Sequence, residues 1–153
     1  SPISYQYGCR DFSGNRRILR YSVIWVACGS LALFLCAFFK PEWPVLCFVR
    51  EGTAVFDLAK QGLFLFSFSL IFSGGNIFAS GLFTALGNGL VSALIAFCRS
   101  ILFLAGSLLL LPRWLGFDGV WLAIPVAETL TCVVVWVCLF RWRKTYHLWG
   151  KER

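Results

Sequence analysis

The chain has 153 residues, 59% hydrophobic and only 14% charged, with a formal net charge of +7. Long apolar runs at that composition place it among membrane proteins and exclude an ordinary soluble domain. The positive charge does not point to nucleic acid, because the basic residues gather at the ends of the apolar segments, as membrane flanks do.

In chain order, Ser1–Gly8 (SPISYQYG) reads as the end of a helix, with Gly8 suited to stopping it. The chain opens on Ser1 and holds no methionine, so it is read as a piece of a longer polypeptide; no signal peptide is visible. A polar, basic connection (CRDFSGNRRILR) follows, then an apolar run to Phe39 that is long enough to span. Lys40-Pro-Glu-Trp-Pro44 predicts a short loop at the membrane surface. Thr53 is a candidate N-cap for the next helix, which begins amphipathic with Asp57 and Lys60 and then enters the bilayer. Gly87-Asn-Gly89 is a turn, Leu90–Leu111 a third span, Pro112–Gly119 a loop, and Val120–Phe140 a fourth span.

The expected fold is therefore an all-α, multi-pass bundle with spans at about 18–39, 54–86, 90–112 and 119–141. Four spans put both ends on one side. The N-terminal connection and the C-terminal tail carry nine of the 14 Lys and Arg, which predicts that both ends are cytoplasmic.

The second span carries the most information. Gly62–Gly89 holds no charge, yet Ser69, Ser73, Asn76, Ser80 and Thr84 recur at spacings of 4, 3, 4 and 4, which lines them on one helix face. Phe64, Phe68 and Phe72 run up another face. Inside lipid such a polar stripe must turn toward protein or water. It either packs against neighbouring helices or borders a substrate cavity, where neutral polar groups beside phenylalanines suit an aromatic cation.

Two charges lie within the later spans. Arg99 is ~20 Å below the outer side, counted from Pro112, and Glu128 is ~14 Å below it, counted from Gly119. That difference is within the reach of an arginine, so the two are expected to pair, either locking helix packing or serving transport. Gly74-Gly75 is expected to bend the second span or to allow close contact, and Pro125 is expected to kink the last one. The seven cysteines show no C-x-x-C and read as small hydrophobes, with no metal or disulfide chemistry expected. His147 has no companion that suggests catalysis, and no phosphate-binding loop is present, so no enzyme activity is expected.

SPISYQYG with its basic loop, FSGGNIFASGLFTALGNG, the arginine of the next span and GFDGVWLAIPVAE together resemble the multidrug and toxic compound extrusion (MATE) transporters, over essentially all 153 residues. The resemblance implies the end of helix 8 and helices 9–12 of a twelve-helix protein. The four spans then belong to its second six-helix lobe, residues 1–153 being the C-terminal part of that lobe. It implies export of cationic or aromatic drugs in exchange for H+ or Na+ from the cell membrane. The partners are then the bilayer, a small organic substrate and the N-terminal lobe of the same chain. No cofactor beyond the coupling ion is implied. Some family members carry a carboxylate in the helix corresponding to Ala54–Leu86; here Ser73-Gly-Gly-Asn76 stands there instead. The rival readings are a flippase for lipid-linked sugars, whose cavity should carry arginines and lysines, and a membrane assembly protein that does not transport.

Overall fold

The computed structural model describes residues 2–9, 12–146 and 148. Ser1, Arg10, His147 and the end of the basic tail lie outside the described residues, so part of the charge asymmetry that sets the expected orientation lies there too.

The described residues are mainly helical: α1 (Pro2–Gly8), α2 (Phe12–Phe39), α3 (Glu42–Leu46), α4 (Ala54–Ala85), α5 (Gly89–Phe97), α6 (Gly106–Leu115) and α7 (Phe117–Trp142). The segment between α5 and α6, Cys98–Ala105, is π-helical. Among the described residues, four stretches are long and apolar enough to cross a bilayer: Ser13–Phe39, Ala54–Ala85, Gly89–Leu115 and Phe117–Trp142. The outer faces carry large apolar side chains such as Trp25, Leu33, Leu109, Val133 and Trp136. A soluble protein rarely exposes such a surface; lipid solvates it.

Several boundaries differ from those read in the sequence. α2 begins at Phe12, so Arg16, Arg17 and Arg20 stand on its first turns and not on a loop. Long arginine stems lie along a helix and keep their heads at its polar end, so they need not break it. Pro41–Pro44 is not wholly a loop, because Glu42–Leu46 forms the short α3. The expected loop Pro112–Gly119 shrinks to one residue. α6 runs through Pro112 to Leu115, and Gly116 alone separates it from α7. The stop is set by Gly116, whose φ of 63 and ψ of −139 suit glycine and almost nothing else. Gly119 then lets the chain fold straight back, since a Cβ there would lie 2.5 Å from the carbonyl oxygen of Leu111.

Thr53 Oγ1 accepts from the Phe56 N–H at 3.2 Å and starts α4, and Asn88 Oδ1 accepts from Val91 N–H at 3.2 Å and starts α5. α4 is central and packs most extensively on α7 and on α2. Ala79, Phe83, Val91, Ile95, Val135 and Cys138 join α4, α5 and α7 in one apolar cluster. On the α2 side, Phe34 and Phe38 meet Phe64 and Phe68 of α4, with Phe38 and Phe64 centroids 5.0 Å apart. Gly74 lies against Ser30 of α2, so it serves close contact, whereas a Cβ on Gly75 would meet nothing. α7 continues as one helix through Pro125.

Candidate functional site

The polar residues of α4 meet their partners on three neighbouring elements. Asn76 is 1% exposed, and its Nδ2 donates to Glu128 Oε2 at 2.7 Å and to the Glu128 carbonyl oxygen at 2.9 Å. Arg99, on the second residue of the π-helical segment, approaches the other carboxylate oxygen. Its Nε donates to Glu128 Oε1 at 2.8 Å and its Nη2 lies 2.7 Å from the same atom. Nη2 also reaches Ser73 Oγ at 3.4 Å. One carboxylate thus ties α4, the third span and α7 together. The side chain of Glu128 is 6% exposed and that of Arg99 is 32% exposed, so the pair is open on the arginine side.

The widened π-helical turn is where this pairing happens. Insertions of this kind are uncommon and gather at functional sites, because they re-aim side chains out of the regular 3.6-residue spiral. Sequence periodicity assumes that spiral, so it does not foresee the segment.

The rest of the stripe divides. Ser69, 1% exposed, donates to the Phe66 carbonyl of its own helix at 2.7 Å. Ser80 lies 3.0 Å from Ser92 Oγ, and Thr84 Oγ1 donates to the same oxygen at 2.8 Å. Ser92 was missed from the sequence, although the signal exists: it lies four residues after Asn88 as Thr84 lies four before, so the antiparallel turn brings them level. Gln61 was missed as well; its Nε2 donates to Asp118 Oδ1 at 3.0 Å across the α4–α7 seam. Next to it the Trp121 ring covers Gly62, and the buried Trp121 Nε1 has no hydrogen-bond partner.

A cavity of about 890 Å³ opens between α2, α4 and α7. Val23, Ile71, Phe72, Cys132 and Trp136 form its apolar wall, Arg16 and Arg20 stand at one end, and Asn76 is the stripe residue that borders it. Pro125 carbonyl accepts from Thr129 Oγ1 at 2.8 Å, one turn from Glu128. All seven cysteines are free thiols, and the described residues hold no group of three metal-ligating side chains.

Four apolar helices, three of them tied by a buried carboxylate, an arginine and an amide, define a multi-pass membrane bundle. The MatE family model matches residues 1–108, more than two thirds of the chain. The chain belongs to this family, that of the multidrug and toxic compound extrusion transporters. No curated protein and no solved structure compared with the chain matches it. The family match takes in the polar stripe and Arg99 and ends before Pro125 and Glu128.

Proposed function

We propose that this chain is part of a secondary transporter that exports cationic or aromatic organic compounds in exchange for H+ or Na+ by alternating access. In this reading it sits in the cell membrane with both ends cytoplasmic and works with a second lobe of the same polypeptide. The family match is the observation that carries the proposal. The buried three-helix cluster supports it, because rocking of a lobe requires its helices to move as one body. Asn76 and the phenylalanine-bearing wall beside it offer the cavity surface, while Ser80 and Thr84 act mainly as a seam to Ser92.

A flippase for lipid-linked sugars fits less well. Its pyrophosphate head group calls for unneutralised basic residues at mid-depth, and the arginine found there, Arg99, is already matched by Glu128. A membrane assembly protein would use the stripe for packing alone.

Efflux of a fluorescent organic cation from cells making the full-length protein is the test. Export should occur and collapse with an uncoupler or on removal of sodium; no export above control cells sinks the proposal. Cysteines placed at Ile71, an exposed residue of the cavity wall, and at the buried Asn76 test the cavity: labelling at 71 with protection at 76 is expected, and protection of both in every transport state favours the assembly reading.

A further inference from the structure

We propose that the groove between α2, α4 and α7 binds an anionic phospholipid, with its phosphate held by Arg16 and Arg20 and its acyl chains lying along the apolar rim. The inference goes beyond the exporter reading and does not depend on it, because binding is read without transport.

Three observations lead there. First, positive charge gathers at one end of the bundle. Ile3, Leu19, Leu82, Leu86 and Leu148 meet in one cluster, and the Tyr7 and Tyr146 rings lie 5.7 Å apart, so the start of α2 and the end of α7 share this end. Arg16, Arg17, Arg20, Arg141, Arg143 and Lys144 stand there. The acidic side chains among the described residues lie elsewhere: Glu42, Glu51, Asp57 and Asp118 at the opposite end, and Glu128 at mid-depth, where Arg99 matches it. Second, two of those arginines border an apolar groove. Arg16 and Arg20 line its end, and no acidic side chain among the described residues lines it. Arg143 follows Trp136 and Leu139 of the α7 wall by seven and four residues, which places it on the same helix face, one turn beyond the groove. Third, the groove is open at its rim and has the depth of one leaflet. Val23 and Ile24 are each 48% exposed and Trp136 is 52% exposed. Along α2, Arg16 lies ~21 Å from Ser30, at ~1.5 Å per residue. Ser30 ends the α2 part of the lining. Half of a bilayer's hydrocarbon core is ~15 Å thick, so the chains of one leaflet fit while the arginines stay at the level of the head groups.

Charge decides between occupants. An apolar helix, from another part of the polypeptide or from a second copy, matches the wall but brings no negative charge to the arginines. A phosphate offers its oxygens to the planar fork of a guanidinium, and the acyl chains beneath it need no hydrogen bonds. A zwitterionic lipid carries a cation beside its phosphate, which a cluster of arginines repels, so the net negative head group is favoured. In the orientation proposed above this end faces the cytoplasm, the leaflet in which anionic lipids gather. The chains lie against Val23, Ile24 and Trp136 at the rim, and Ile71 and Phe72 on the α4 floor are left to the exported compound.

The test uses the purified full-length protein in detergent, mixed with dioctanoyl phosphatidylglycerol or dioctanoyl phosphatidylcholine, with retained lipid read by native mass spectrometry. The native protein should retain phosphatidylglycerol in preference to phosphatidylcholine. Arg20→Gln should weaken phosphatidylglycerol binding about five-fold and leave phosphatidylcholine binding as it was. Arg17→Gln removes the same charge from the same turn of α2 but does not line the groove, so it should bind as the native protein does. Ala27→Trp fills the groove from an exposed position and leaves every arginine in place, so it should lower the binding of both lipids. Where Ala27→Trp does not fold, the comparison of Arg17→Gln with Arg20→Gln decides. Equal retention of the two lipids by the native protein overturns the proposal. So do equal losses in the two arginine variants, which make the attraction a diffuse surface charge. Unchanged binding in a folded Ala27→Trp overturns it as well, because another part of the polypeptide or a second copy then fills the groove.

Discussion

Glu128 and Arg99 share an ion pair, but they do not depend on it equally. A carboxylate at 6% exposure has no alternative solvation, while a guanidinium at 32% keeps part of its surroundings and a hydroxyl neighbour. Breaking a buried pair costs ~3–5 kcal/mol through the charge left behind. Arg99→Ala should therefore lose a stability near that range and Glu128→Ala distinctly less, read as thermal unfolding in detergent. The reverse order would mean that Arg99 is the more deeply held partner. Ser92 is a second residue-scale case. Its hydroxyl meets both Ser80 and Thr84, so Ser92→Ala removes the shared partner of two side chains and should cost about 1–2 kcal/mol. A loss no larger than that of Ser80→Ala alone would show that the two contacts do not act together. The stripe on α4 was legible because hydroxyl and amide residues at helical spacing stand out in an apolar run. Its partners were not, because one helix's period does not say which neighbour faces it.

At the scale of the element, α4 and α7 are shaped by glycines of different use. A methyl at Gly119 would press on backbone of Leu111, which cannot give; one at Gly62 would press on the Trp121 ring at 2.5 Å; one at Gly74 would meet the Ser30 hydroxyl, which can rotate away. One at Gly75 would meet nothing. Alanine substitutions should follow that order in damage. Gly75→Ala should stabilise α4 by up to ~1 kcal/mol through helix propensity alone. Thermal shifts of the four variants check the ranking, and a Gly75→Ala variant as damaged as Gly119→Ala would contradict it. Two residues before Gly62, Lys60 of α4 hydrogen-bonds Glu42 of α3 and holds that carboxyl below its ordinary value, the hydrogen bond being the larger cause and the lysine charge the next. A lowered carboxyl contributes above its ordinary range and loses that contribution as pH falls through the lowered value. Because the pair is exposed, its effect on stability is small. Lys60→Gln should return the Glu42 titration upward by NMR; an unmoved midpoint would show that the lysine does not set it.

For the whole molecule, the existence of four spans and the all-helical class were legible from composition, since apolar runs of that length have few other solutions in a chain with so few charges. So was the family, through motifs that lie inside the matched residues apart from GFDGVWLAIPVAE, which follows them. The ends of the spans were less so: Arg16–Arg20 and Pro112 look like flanks in a sequence, yet helices in lipid carry basic residues on their first turns and accommodate proline. Sequence by itself determined which residues must leave the lipid, because a charge, amide or hydroxyl has no partner in hydrocarbon. Only the tertiary structure decided whom they meet. The π-helical widening at Cys98–Ala105, the one-residue reversal at Gly116 and the relative placement of three helices put Arg99, Asn76 and Glu128 at one point, and such placements depend on backbone geometry and packing that no local pattern encodes.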